Sequence, residues 1–294
     1  MNSPPKVIIV GIVRNCEKSF LKEYKKLLNA CVDLQIIDSF FVESDSSDKT
    51  VNLLTELSKQ MTKLNFDSLG DIRDRIPNRI ERIRYCRNHY VSFLRNNYSQ
   101  NMFEYVIVAD MDGINSTISK FAINSCFNYF GWDALFSNQF LGYSDLLALR
   151  ASGWVENDFL IELEEARKQL RNSPNPKSWL GKLKRYFEYD QTRKTYIYDK
   201  MKFLGFQRKL IPVKSAFGGI AIYRSWCFYE ADYSTELNIG ECEHVSFHKK
   251  LILQNANLYI NTRLINSILN TYNANKYFLI RNVRLWRWNL AKKG

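Results

Sequence analysis

Two carboxylates stand one residue apart in Asp110-Met111-Asp112, directly behind the apolar, β-branched run Tyr105-Val106-Ile107-Val108-Ala109. Such a run reads as a buried strand, and acids at i and i+2 beyond its end are delivered together to the edge of a sheet. In an open α/β sheet that edge is where ligands bind. Two hard oxygen donors there can hold Mg²⁺ or Mn²⁺ against a diphosphate; alone, the same spacing also describes a solvated acidic turn. A second acidic loop, Val42-Glu43-Ser44-Asp45-Ser46-Ser47-Asp48-Lys49-Thr50, ends another apolar run and opens a helix. Its carboxylate, hydroxyls and helix N-terminal amides suit a polar ligand, or simply cap the helix.

Arg73, Arg75, Arg79, Arg82, Arg84 and Arg87-Asn88 follow. Forked guanidinium groups near a sheet edge can clamp phosphate oxygens, though this spacing does not allow all of them on one helical face. Late in the chain comes Gly240-Glu241-Cys242-Glu243-His244-Val245-Ser246-Phe247-His248. In a helix, Glu241, His244 and His248 would share a face, with Glu243 and Phe247 beside it. A carboxylate there can act as a general base and an imidazole as a metal ligand, against the alternative of histidines packed structurally. His89 reads as structural. Phe217-Gly218-Gly219 permits either a tight turn or close backbone approach to a ligand.

The elements that position these groups alternate. Lys6–Val13 and Ile36–Val42 read as strands, and Glu17–Cys31 as a helix with apolar positions Phe20, Leu21, Tyr24, Leu27 and Leu28. A helix capped by Ser47 or Asp48 and another over Arg79–Asn96 precede the strand at Tyr105. Ala134–Ser137 and Gly219–Tyr223 read as later strands. Glu156–Arg208 is charged, helix-prone and broken at Ser173-Pro174-Asn175-Pro176. Strand alternating with helix over short loops predicts a mainly parallel sheet.

The chain has 294 residues, 46% of them hydrophobic and 24% charged, which excludes a disordered polyelectrolyte. No apolar stretch approaches the ~20 residues of a spanning helix, and the N-terminus lacks the regions of a signal peptide, so the chain is expected in the cytoplasm. Cys16, Cys31, Cys86, Cys126, Cys227 and Cys242 form no CxxC pair and are expected to be reduced and buried. The net charge of +12 is concentrated in 167–209 and 276–294. The C-terminal stretch mixes Tyr277, Phe278, Trp286 and Trp288 with Arg281, Arg284, Arg287, Lys292 and Lys293, a composition suited to peripheral contact with an anionic membrane surface.

The loop VESDSSDKT aligns without gaps with the VDDGSTDGT-like loop of glycosyltransferase family 2 and its relatives. Arg84-Tyr85-Cys86-Arg87-Asn88 resembles the ARN segment that follows there, and YVIVADMDG resembles the strand and DxD that come next, in the same order and spacing. These segments span residues 6–115. The resemblance implies a GT-A fold, a Rossmann-like α/β architecture with a mainly parallel sheet flanked by helices. It implies one catalytic domain over 1–294: a donor half at 6–115, an acceptor half at 116–265 with a helical basic insertion at about 156–210, and a basic aromatic segment at 266–294.

By the same resemblance Val13, Arg14, Glu43, Asp45, Arg84, Arg87, Asp110 and Met111 border a nucleotide sugar. Asp112, Asp110 and His244 hold Mn²⁺ or Mg²⁺, Glu243 or Glu241 supplies the base, and Gly218, Gly219 and Asp145 border the acceptor. The implied activity is transfer of a sugar from a UDP- or GDP-linked donor to a glycan or lipid-linked glycan, in surface polysaccharide or glycoconjugate synthesis. Two positions depart from the pattern: Ser44 stands where the family has a second acid, and Asp45 where it has glycine. More loosely, Tyr143–Arg150, Phe217–Arg224 and Glu241–Val245 resemble segments of capsule-associated mannosyltransferases related to fungal CAP59 proteins and their bacterial relatives. A nucleotidyltransferase acting on a sugar phosphate would also use a parallel sheet and paired acids. It usually carries a basic glycine-rich loop where this chain has Val13-Arg14-Asn15. A nucleic-acid-binding module using the basic insertion is the remaining alternative; no recognised motif supports it, and no nucleic-acid partner is expected.

Overall fold

A computed structural model describes residues 3–174, 176–207, 209–234 and 241–268. The β-branched runs become β1 (Lys6–Val13), β2 (Gln35–Glu43), β3 (Leu64–Ser68), β4 (Tyr105–Ala109), β5 (Ala134–Gln139), β6 (Leu210–Pro212), β7 (Ile220–Arg224) and β8 (Leu258–Ser267). Between them lie α1 (Phe20–Ala30), α2 (Thr50–Gln60), α3 (Arg79–Asn97), α4 (Lys120–Asn124), α5 (Phe159–Asn172), α6 (Trp179–Arg193), α7 (Cys227–Glu230) and α8 (Glu243–Leu253). The strands form one sheet in the order β3-β2-β1-β4-β7-β5-β8-β6.

Four of the seven pairings are parallel, and β7 runs antiparallel to both its neighbours, β4 and β5. The result is an α/β fold with a mixed sheet, in which the parallel half β3-β2-β1-β4 brings the ends of β1, β2 and β4 to one edge. Phe40 and Phe41 show how the sheet is covered. Successive side chains of a strand face opposite ways. Phe40 stacks on Phe93 of α3 at 3.7 Å and joins the core on the side of α3 and α8, while Phe41 packs with Phe20 and Tyr24 and joins the core on the side of α1 and α2.

The strands read at Lys6–Val13 and Tyr105–Ala109 are found at those limits. The third helix starts at Arg79 as read, because Asn78 caps it by accepting from the amides of Ile80 (2.8 Å) and Glu81 (3.3 Å). Asp48 rather than Ser47 serves the second helix, accepting from the Thr50 amide at 3.0 Å. Glu156–Arg208 does contain two helices, α5 and α6, separated at the proline-rich break. β3, β6 and β8 were not anticipated. β8 hides from periodicity because Asn261, Thr262, Asn266 and Ser267 are buried beside its apolar residues. It also runs through the boundary drawn at 265, and the donor and acceptor halves share one sheet. All six cysteines are free and buried. Among the described residues no helix is long and apolar enough to cross a membrane. The basic aromatic segment from 269 to 294, and Gly240, lie outside the described residues.

Candidate functional site

The ends of β1 and β2 pair Val13 with Glu43. Glu43 is buried, and its carboxylate accepts from the Ser46 amide at 3.0 Å and from the Ser68 hydroxyl. The Val13 and Met111 side chains belong to the core on the α1 face, so at the cleft each offers only backbone. Asp45 has φ +57°, a left-handed conformation more usual for glycine. Its carboxylate turns into the protein, accepting from the Ile72 amide (2.9 Å) and pairing with Arg82 (3.2 Å) and Arg73 (4.0 Å). Arg14 is exposed and donates through Nε to the Asp45 carbonyl at 3.2 Å.

At the end of β4 the acid pair is held from three directions. The Asp110 amide donates to the Gly219 carbonyl (2.9 Å). Asn115 donates to the carbonyls of Asp110 (2.7 Å) and Gly219 (2.9 Å), and Asn266 in turn donates to the Asn115 side-chain oxygen (2.7 Å) and the Gly218 carbonyl (2.8 Å). Glu23 of α1 accepts the amides of Gly113 (2.7 Å) and Asn115 (2.6 Å). Asp112 is exposed and accepts only a 3.3 Å bond from the Ile114 amide among the contacts described.

Asp110 keeps 30% of its side chain exposed. Desolvation pushes its carboxyl up to about 8; Arg87 opposes this, and the charges of Asp112, Asp145 and Glu243 add to it. Both facts fit a carboxyl on a cleft floor, open at the mouth and walled by protein elsewhere.

Arg87 links this floor to α8. It is buried, donates from Nε to Glu243 (3.1 Å), stands 3.7 Å from Asp110, and lies over the rings of Phe217 (5.2 Å) and Tyr233 (5.6 Å). Burial works against its charge, but Tyr90, Glu243, Tyr233 and Asp110 outweigh it and hold the guanidinium well above its ordinary pKa. Arg84, the other inward arginine, donates to the Glu241 carbonyl (2.6 Å), Ser246 (3.1 Å) and Glu81 (2.8 Å), and so anchors the start of α8. The arginine cluster is tied largely to groups of the protein itself. Its buried members hold protein acids, Arg82 pairs with Asp45 (3.2 Å), and Arg75 lies over Tyr85 (5.0 Å).

The late constellation divides. Glu243 opens α8 beside Arg87, with His244 3.7 Å away. Glu241 precedes the helix, pairs with exposed Lys249 (2.7 Å) and accepts from Ser246 (3.3 Å), outside the buried cluster. His244 is buried and stacked on Phe217 (4.0 Å between centroids), and neither ring nitrogen has a hydrogen-bond partner among the described residues. Burial, then Arg87 and His248, keep it neutral, well below the ordinary pKa. His248 is a core residue bonded to Ser215 (2.8 Å) and Tyr223 (2.9 Å). His89 pairs with Asp67 at 2.7 Å.

Asp145 accepts the Gly218 amide (2.9 Å), and burial raises its pKa. Gly218 (φ +78°) and Gly219 (φ +102°) need their backbone freedom, and a Cβ would strike Ser137 or Ile114 at 2.5 Å. Ser137 and Ile114 thus occupy the space that a Cβ would need.

Among the described residues no group of three or more His, Cys, Asp or Glu side chains is gathered closely enough to cage a metal ion. The donor set fits a different arrangement, in which a hard cation on one or two carboxylates completes its shell with water and diphosphate oxygens. Exposed Asp112 is suited to hold it, with Asp110 behind. Sequence reading missed Glu23, Asn115 and Asn266. Glu23 left one signal, an acid on the apolar face between Phe20 and Tyr24; the two asparagines acquire their role only through pairing across the sheet.

No protein-family model and no curated protein matches the sequence. Solved structures are similar at low identity. TarS from S. aureus aligns at 14% identity and TM-score 0.44, over 87% of this chain and 58% of that one. A mannosyltransferase from Pyrobaculum calidifontis, solved with GDP-Man and Mn²⁺, aligns at 10% and 0.44, over 92% and 59%. Glucosyl-3-phosphoglycerate synthase from Mycobacterium tuberculosis, solved with Mn²⁺, UDP and phosphoglyceric acid, aligns at 11% and 0.39, over 88% and 69%. The chain spans less than two thirds of the first two. At these scores the likeness lends nothing to the assignment of residues, which rests on the chain's own geometry.

Proposed function

We propose that this protein is a metal-dependent glycosyltransferase that moves a sugar from a nucleotide-diphosphate donor to a hydroxyl of a glycan or lipid-linked glycan. The observation that carries this reading is the line Asp110–Arg87–Glu243, with links of 3.7 and 3.1 Å, beside exposed Asp112 at the ligand-binding edge of the parallel strands. It joins carboxylates from β4 and α8 through one buried cation. The order of loop, arginine and acid pair along the chain supports the same reading.

Asp112 would hold Mn²⁺ or Mg²⁺, with Asp110 supporting it. When bound, the ion supplies Lewis-acid neutralisation of the leaving diphosphate. Glu43 and the backbone of Val13 and Met111 border the nucleotide, and Arg14 is an exposed cation bonded to that loop's backbone. Glu243, rather than Glu241, is the carboxylate placed to take the proton of an acceptor hydroxyl, because Glu241 is committed to Lys249 at the surface. Arg87 orients Glu243 through the 3.1 Å bond from its Nε. Asp145 positions the Phe217–Gly219 turn, whose outer side would meet the acceptor.

Thermal-shift measurements with UDP, GDP and CMP in the presence of Mn²⁺ test the donor site, since a ligand bound only by the folded chain raises its melting temperature. One nucleoside diphosphate is expected to stabilise the wild type and to lose that effect in Asp112→Ala, whose own melting temperature without ligand is unchanged. Full transfer activity of Asp112→Ala with Mn²⁺ would reject the assignment. Release of pyrophosphate in place of a nucleoside diphosphate would identify a nucleotidyltransferase.

A further inference from the structure

α6 carries its apolar residues on the wrong side for a helix of a globular protein. Trp179, Leu180 and Phe187 are 71%, 68% and 58% exposed, and Leu183 is exposed too. Their spacing, i, i+1, i+4 and i+8, places them on a single arc. The half-buried residues Gly181, Arg185, Glu188, Tyr189 and Thr192 occupy the opposite face, half-buried Asp190 ends the apolar arc, and no residue of α6 is fully buried. That inner face is fastened to the end of α5, where Arg185 donates to the carbonyls of Leu170, Ser173 (3.2 Å) and Pro174 (2.9 Å). α5 is rooted in the domain by buried Phe159 and Leu163. The outward face is thus presented by a supported hairpin.

Exposed Lys182 and Lys184 flank the apolar arc, one on each side, and the hairpin adds Arg167, Lys168, Lys177 and Arg193, while Arg171 is paired with Glu164 and the acids Glu162 and Glu165 lie on α5. From the apolar outward arc and the lysines beside it, we propose that α6 lies in the interface of an anionic phospholipid membrane, with Trp179, Leu180, Leu183 and Phe187 entering the headgroup–acyl boundary. Charge complementarity selects this partner: a helix with Lys on both margins of an apolar face is attracted by anionic headgroups and anchored by its apolar side chains. Nucleic acid would satisfy the lysines and stack on Trp179, but it offers nothing to aliphatic Leu180 and Leu183. The surface is separate from the transfer reaction, so its failure would leave the proposed chemistry untouched.

Co-flotation of the full chain tests it, using vesicles of phosphatidylcholine alone and of phosphatidylcholine with about one third phosphatidylglycerol. The wild type is expected to float with the mixed vesicles, far less with phosphatidylcholine, and to be released as salt rises. Lys182→Glu/Lys184→Glu and Leu183→Glu/Phe187→Glu should each lower the bound fraction about tenfold or more. Because the substituted side chains are exposed, circular dichroism and melting temperature should not change. Absence of flotation, or undiminished flotation of both double variants, would overturn the proposal; the second result would place binding on another segment. Dissociation of a dimer by Leu183→Glu/Phe187→Glu would make the face a contact between copies. Binding of an oligonucleotide with no vesicle binding would reassign it to nucleic acid.

Discussion

Asp45 illustrates how one residue can take a backbone conformation more usual for glycine and add a carboxylate to it. Its left-handed φ meets the demand that glycine usually meets, and the added carboxylate reaches Ile72, Arg82 and Arg73. Asp45→Gly should therefore relax the backbone yet destabilise the fold by about 1–3 kcal/mol, through loss of a buried acceptor. Asp45→Asn, which keeps an acceptor for the Ile72 amide and tolerates the same φ, should cost less in urea denaturation. The contrast with Asp112 is one of commitment. Asp45 is bound on all sides by its own protein, whereas Asp112 is left open to solvent, and an acid that the fold does not use is one a ligand can use.

At the scale of elements, α8 combines two roles that spacing alone could not separate. Its first turn delivers Glu243 and His244 to the cluster around Arg87, and one turn later His248 is enclosed between Ser215 and Tyr223. Burial, reinforced by Arg87, lowers His248 from 6.5 to about 3. The native state thus binds fewer protons at this site than the unfolded chain between those values. Its contribution to stability is fully present above about pH 6.5 and is lost as pH falls toward 3. Urea midpoints at neutral pH and near pH 4.5 should show this loss in the wild type, and His248→Gln should show a smaller one. An unchanged pH dependence in His248→Gln would assign the acid sensitivity to other groups.

At the scale of the molecule, one sheet separates two cores, and the site lies where neither is complete. Phe41 is buried on the α1 face, edge-on to Phe20 and Tyr24 at 5.0 and 5.7 Å. Phe41→Ala should cost about 3–5 kcal/mol, measured by urea unfolding, because rings locked by packing cannot collapse into the void. β2 also carries Glu43 at its end, so such a variant should weaken nucleotide-dependent stabilisation as well as the fold. The basic insertion meets the core at Phe159 and Met201, with Ile197, Tyr198 and Leu204 packed behind them, and buried Leu163 roots α5; the outward face of α6 stays exposed.

The sequence by itself determined the strands that hold the acids, since Lys6–Val13 and Tyr105–Ala109 are long enough apolar runs for burial alone to define them. It also determined the order of loop, arginine and acid pair, because those are local patterns. Tertiary structure alone decided what each charge does. Asp45, Arg82 and Arg84 proved to be internal ties, and the glycine pair is filled by Ser137 and Ile114. β8 was illegible because its buried asparagines find their partners far away in sequence, Asn261 at Ser125 and Asn266 at Asn115 and Gly218. Arg87 became the link between Asp110 and Glu243 through a long-range contact, and such a contact leaves no periodic trace in the chain.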